Sequence, residues 1–295
     1  MSILKIDSKL PISGEDIKYK HLVHLFDKNK LREVNILYLN NTEINSIPKS
    51  IGLFKHLTEL YLNNNKLTSI PTEIIKIPNL EKLYIDNNKL ESIPSEIGMM
   101  THLKELVINN NLLKEIPSEF GQLFKLEKLI VNNNNIKNIP SEFGQLIKLR
   151  ELNFSNNDIE DIPSTFGQLL NLEELNFEKN SIKNIPSEFG EMTKLKVLML
   201  GYNSIELIPS ELGQLIKLEK ISLNDNQLIT LPREIETCEN LHEIDIVRNR
   251  LINLPRHILD LPKLNRLYIS SNELDIVEKT FKGLSKKVFI CALDL

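Results

Sequence analysis

The chain has 295 residues, a net charge of −4, 26% charged residues, two cysteines and no tryptophan. Its basic residues form no patch of the kind a phosphate backbone demands, which argues against nucleic acid as a partner. No apolar run reaches the length of a membrane span or of a signal-peptide core.

Residues 1–33 precede any repetition and are expected to form an N-terminal cap. Within them Ser13, with Asp16 three residues later, resembles a capping signal. Ile17, His21, Leu22, Leu25 and Phe26 share one helical face, so an amphipathic cap helix is expected across 13–30.

From Val34 the sequence repeats. IPSEFGQL at 116–123 returns at 139–146, and rows of 23 residues starting at Val34, Leu57, Leu80 and so on to Leu264 align without a gap. Eleven such rows cover 34–286. A period in this range marks a stacked array, in which each unit buries its apolar face only against its neighbours. Positions 1, 4 and 6 of every row are apolar, as in Leu80, Leu83 and Ile85. Positions 4 and 6 alternate with mostly polar neighbours, which predicts a strand with one buried face. One strand per row in the same direction predicts a parallel sheet, and too few residues remain in the row for a long return helix. Position 9 is Asn in ten rows, from Asn65 to Asn272, with Thr42 in the first. A buried Asn has an acceptor and two donors for backbone groups that leave the ladder at the turn. Positions 14 and 15 read Ile-Pro or Leu-Pro in ten rows, and Pro suits an extended segment or the start of a short helical turn. Position 18 is Ile, Leu or Phe. Position 19 is Gly in seven rows from Gly52 to Gly213, expected to end a one-turn helix in a left-handed conformation. In the eleventh row Glu278 replaces Pro, and residues 287–295 are expected to close the array as a capping strand.

The row L-x-x-L-x-L-x-x-N-x-L-x-x-I-P-x-x-I/F-G-x-L-x-x resembles the leucine-rich repeat family. Its 23-residue spacing resembles the intracellular subgroup of Ras-associated scaffold proteins and bacterial leucine-rich repeat proteins. The resemblance implies an α/β solenoid: a right-handed horseshoe with a parallel concave β-sheet and short 3-10 or extended convex segments. It implies a non-catalytic protein-interaction module or scaffold, with a small GTPase, a phosphatase or a host protein among the partners such proteins engage.

Extracellular members carry cysteine-rich caps, whereas Cys238 and Cys291 stand 53 residues apart. This points to a reducing, cytoplasmic setting. Secretion by a signal-peptide-independent bacterial route is the alternative. The sequons at Asn40 and Asn153 then have no role.

Positions 2, 3, 5, 7 and 8 face away from the predicted core, and equal positions on adjacent rows lie roughly 4.8 Å apart. Position 2 reads Glu81, Lys104, Glu127, Arg150, Glu173, Lys196, Glu219, and position 3 reads Glu59, Lys82, Glu105, Lys128, Glu151. Alternating sign removes the cost of stacking like charges, so these files read as register rather than recognition. Position 5 is different. Tyr38, Tyr61, Tyr84, Val107 and Ile130 follow one another there and make an apolar stripe about 20 Å long on a face expected to meet water. Met199 and Tyr202, with Val197, form a smaller second cluster. Nearer the C-terminus the lining turns polar at His242, Asp245, Arg248, Arg250 and Arg266.

Enzyme chemistry finds no support. There is no Gly-rich phosphate loop, nucleophile elbow or zinc-protease helix motif. His21 with His24 lacks a third ligand, and His56 and His102 sit two rows apart. No cofactor or metal is expected. The leading expectation is a protein partner bound on the sheet face around Tyr38 to Ile130. The alternatives are a bacterial effector or surface protein that binds a host protein, and a homo-oligomer that buries the tyrosines against its own copy.

Overall fold

The computed structural model describes residues 2–5, 33–273 and 289–291. The expected cap helix in 13–30 and the end of the last repeat lie outside these residues. The chain divides into two compact units, residues 1–136 and 137–295.

Among the described residues of the first unit six parallel strands follow chain order: β1 (Ser2–Lys5), β2 (Val34–Tyr38), β3 (Glu59–Tyr61), β4 (Lys82–Tyr84), β5 (Glu105–Val107) and β6 (Lys128–Ile130). From β2 onward the register advances by one repeat per strand, so Glu59 faces Lys82 and Tyr61 faces Tyr84. β1 adds an edge strand within the expected cap segment, with Leu4 opposite Leu37 and Lys5 opposite Tyr38. Among its described residues the second unit has seven strands, again parallel and in chain order: β7 (Glu151–Asn153), β8 (Glu174–Asn176), β9 (Val197–Met199), β10 (Lys220–Ser222), β11 (Glu243–Asp245), β12 (Arg266–Tyr268) and β13 (Phe289–Cys291).

Each coil repeats the same events. Position 4 is buried between two more open neighbours. The chain then turns through position 8, which is left-handed in every row, from Asn41 at φ 57° to Ser271 at φ 56°. Asn occupies it in six consecutive rows, 41 to 156, because its short polar side chain tolerates that region best after Gly. Proline follows in an extended conformation, and its carbonyl accepts the first bond of a 3-10 turn, as from Phe143 N to Pro140 O at 3.2 Å. Lys49–Leu53, Thr72–Lys76, Ser95–Met99 and Ser118–Gln122 are these turns in the first unit.

The asparagines at position 9 form a spine. Asn111 accepts from Leu90 N at 3.0 Å and donates to the carbonyls of Ile85 and Ile108, both at 3.1 Å. Asn180 does the same in the second unit, with Ile159 N, Phe154 O and Phe177 O. One amide therefore satisfies its own turn and the turn before it. Thr42 closes the spine in the first row by donating its hydroxyl to Leu39 O at 2.8 Å.

The glycines at position 19 have another cause than the expected one. Gly52, Gly98, Gly144, Gly167, Gly190 and Gly213 have no positive φ; they lie inside the 3-10 turns. A Cβ on Gly144 would come within 2.5 Å of Thr165 O in the next coil. Glycine is needed there because adjacent turns touch through backbone. Beneath them Phe143 and Phe166 are buried with ring centroids 6.5 Å apart, and Phe154 and Phe177 with centroids 5.6 Å apart.

Candidate protein-binding surface

The outward face of the first unit's sheet carries three files side by side. Position 3 holds Glu59, Lys82 and Glu105, where Lys82 Nζ lies 3.8 Å from one carboxylate and 3.3 Å from the other. Position 5 holds the tyrosines. Position 7 holds Asn40, Asn63, Asp86, Asn109 and Asn132.

Tyr38, Tyr61 and Tyr84 stack. Their centroids are 4.6 and 4.9 Å apart and their planes differ by 13° and 16°. The one-repeat register brings the Cα atoms into line, and strand spacing equals a stacking distance, so the rings lie face over face with an offset. All three stay half-buried, even with β1 beside Tyr38. Tyr61 donates its hydroxyl to Glu59 Oε2 at 2.7 Å, and Tyr84 donates to Glu105 Oε2. Burial, the bond to Glu59 and the Glu59 charge push the Tyr61 phenol well above its ordinary range. Two hydroxyls of the stack are thus turned to the acidic side chains of position 3.

Further along, the file departs from the expected open stripe. Val107 is only 8% exposed, because a short side chain sits between the longer Tyr84 and Ile130. Ile130 is half-buried. On the other flank Asn63 N donates to Asn40 Oδ1 at 2.9 Å, whereas Asn63 Oδ1 is a buried acceptor with no donor among the described residues. Burial raises the Asp86 carboxyl above its ordinary value, although its own backbone and Asn87 hydrogen bonds pull the other way.

Met199 and Tyr202 in the second unit do not form one apolar cluster. Met199 is half-buried on β9. Tyr202 is 44% exposed and sits on the left-handed turn at φ 56°. Its neighbours are the other residues of position 8. Lys179 Nζ is 5.6 Å and the Arg248 guanidinium 5.9 Å from the ring centroid. Arg248 Nη2 donates to the Tyr202 hydroxyl at 3.1 Å and to Asp225 Oδ2 at 2.7 Å, and its Nε also donates to Asp225. Burial works against the Asp225 charge, but the bonds from Arg248 and Asn224 hold its carboxyl below the usual range. This is a clamped polar file. The signal for it was the stack Lys179, Tyr202, Asp225, Arg248 at one repeat position.

Among the described residues no group of His, Cys, Asp and Glu is arranged to hold a metal ion, and no helix is long and apolar enough to cross a membrane.

Comparison with known proteins agrees with this architecture. The family described as "Leucine-rich repeat region" matches residues 9–111, 95–206 and 141–227. A leucine-rich repeat protein of Leptospira interrogans is 31% identical, with 90% of this chain and 80% of that one covered at a TM-score of 0.69. The Arabidopsis receptor kinase HAESA, solved with the peptide hormone IDA and the co-receptor SERK1, is 26% identical at a TM-score of 0.70; the match covers 84% of this chain and 48% of that one. Internalin inlF of Listeria monocytogenes shares the fold, at 24% identity and a TM-score of 0.68, over 84% of this chain and 77% of that one. A comparison with curated proteins gives no match. Repeat by repeat, in its parallel strands, its asparagine spine and its 3-10 turns, this chain belongs to the leucine-rich repeat family.

Proposed function

We propose that the chain is a non-catalytic protein-interaction module whose binding surface is the sheet face of the first unit, centred on Tyr38, Tyr61 and Tyr84. One observation carries this reading: three stacked, half-buried rings present their surface between a file of charges and a file of amides. Tyrosine combines large apolar area with little side-chain entropy to lose, which suits it to anchor an interface. The amide file adds polar side chains beside the rings. The solved receptor HAESA, similar in fold, was captured with a peptide hormone, which supports a polypeptide as the class of ligand. Val107 and Ile130 extend the surface only weakly, and Met199 and Tyr202 lie outside it.

The test is recovery of partners on the wild-type chain and on a Tyr38→Ser/Tyr61→Ser/Tyr84→Ser variant, with circular dichroism to show that both are folded. The variant is expected to lose the specific partner. Equal recovery on both baits means that the stack is not the site.

A further inference from the structure

A second apolar feature lies at position 22 of the repeat, off the sheet face and just before each strand. In the second unit this position holds Ile147, Leu170, Thr193 and Ile216 in successive coils. Ile147, Leu170 and Ile216 are 56%, 52% and 57% exposed. The backbone explains why. The N–H of position 22 bonds to the carbonyl two residues earlier, at 2.8 Å from Ile147 to Gln145, 2.9 Å from Leu170 to Gln168 and 2.8 Å from Ile216 to Gln214. Such a tight turn throws one side chain per coil outward. The position needs no apolar residue for folding, since Thr193 and Glu239 occupy it in other coils.

The residue that follows is basic in three of these four coils: Lys148, Lys194 and Lys217, all exposed. Lys194 donates to Asn171 Oδ1 at 2.6 Å and lies in the field of Glu173. Lys148 and Lys217 enter no ion pair among the described residues. Position 20 beside them is uncharged in Gln145, Gln168 and Gln214, with Glu191 as the exception, and the file ends at Glu239. Separately, the first unit carries one such pair, an exposed Phe124 followed by Lys125.

We propose that this edge of the second unit docks on an anionic lipid surface. The pattern is an apolar tip in three of the four coils, each set by its turn at the same place in the repeat, with the ammonium groups of Lys148 and Lys217, free of ion pairs among the described residues, beside two of them. A headgroup layer accepts separate side chains at a common depth while its phosphates neutralise the lysines. A folded acidic partner would need a matching socket for each tip. This surface is independent of the tyrosine face.

Sedimentation with vesicles of phosphatidylcholine, with and without about a third phosphatidylserine, tests it at low salt. The wild-type chain is expected to bind only the anionic vesicles. Lys148→Gln/Lys217→Gln is expected to lower the partition coefficient about twenty-five-fold, from about five-fold per lysine at a charged surface. Ile147→Ser/Leu170→Ser/Ile216→Ser is expected to lose binding too, with little change in melting temperature because more than half of each residue is already exposed. The triple tyrosine variant is expected to bind vesicles as the wild type does, which separates this surface from the sheet face. Absent wild-type binding, equal binding by all variants, or retention of polyglutamate in place of vesicles overturns the proposal.

Discussion

Replacing Asn111 by Ala removes one rung of the spine. Leu90 N–H loses its acceptor inside the molecule, and an orphaned buried donor costs about 1–3 kcal/mol. The carbonyls of Ile85 and Ile108 lose one donor each but keep another, from Asn88 and Asn134, so each loss is nearer the low end of about 0.5–1.5 kcal/mol. The sum is about 3 kcal/mol. Urea unfolding followed by circular dichroism measures it. In an array of coils that touch only their neighbours the damage is local. The Leu90 amide should therefore exchange much faster, while the Leu113 amide, bonded to Asn134 Oδ1 at 3.1 Å, changes far less. Asn111→Asp is the companion experiment. It keeps an acceptor for Leu90 N–H but sets a carboxylate against two carbonyl oxygens, so it should be worse than Ala at neutral pH. Its folded-state pKa is then raised, and stability should recover as pH falls through that value. A loss below about 1 kcal/mol for Asn111→Ala, with Leu90 protection intact, refutes the claim that the amide spine carries the turns.

Two further outcomes follow from the same geometry. Gly144→Ala places a Cβ against the Thr165 carbonyl and should cost about 1–3 kcal/mol in urea unfolding, whereas a left-handed requirement would instead predict that Gly144→Asn is tolerated. Tyr61, whose phenol is raised mainly by burial and then by Glu59, ionises more readily in the unfolded chain; its contribution is complete below the ordinary tyrosine value and should fade above about pH 10. Thermal midpoints from neutral to alkaline pH should fall less for Tyr61→Phe than for the wild type.

The coil was legible because each position's demand recurs. Apolar residues at 4 and 6 announce a half-buried strand, and a fixed spacing leaves only a parallel stack. The tyrosine file was legible for the same reason, since residues of equal position must meet. What hid from the sequence is what depends on distance between coils. Gly144 looks like a helix terminator until Thr165 O is seen facing it. Val107 reads as exposed by alternation, and its burial comes from the size of its neighbours. Position 22 looks like any loop residue, because the turn that ejects Ile147 is set by a hydrogen bond to Gln145 O and by no pattern of hydropathy.

Position 8 shows how a repeat separates folding from other demands. Six consecutive rows place Asn in the left-handed turn, which is what the backbone alone asks for. The next four rows place Lys179, Tyr202, Asp225 and Arg248 at φ between 50° and 56°. Each substitution gives up some of the tolerance that Asn has there, of the order of 1 kcal/mol. Part is regained through the two bonds from Arg248 to Asp225 and the contact of both cations with the Tyr202 ring. Exposed pairs of this kind contribute about 0–1 kcal/mol each, so the exchange is close to neutral for stability. A residue set that gains the fold nothing, and whose members contact one another, is a surface whose composition the folding problem did not choose.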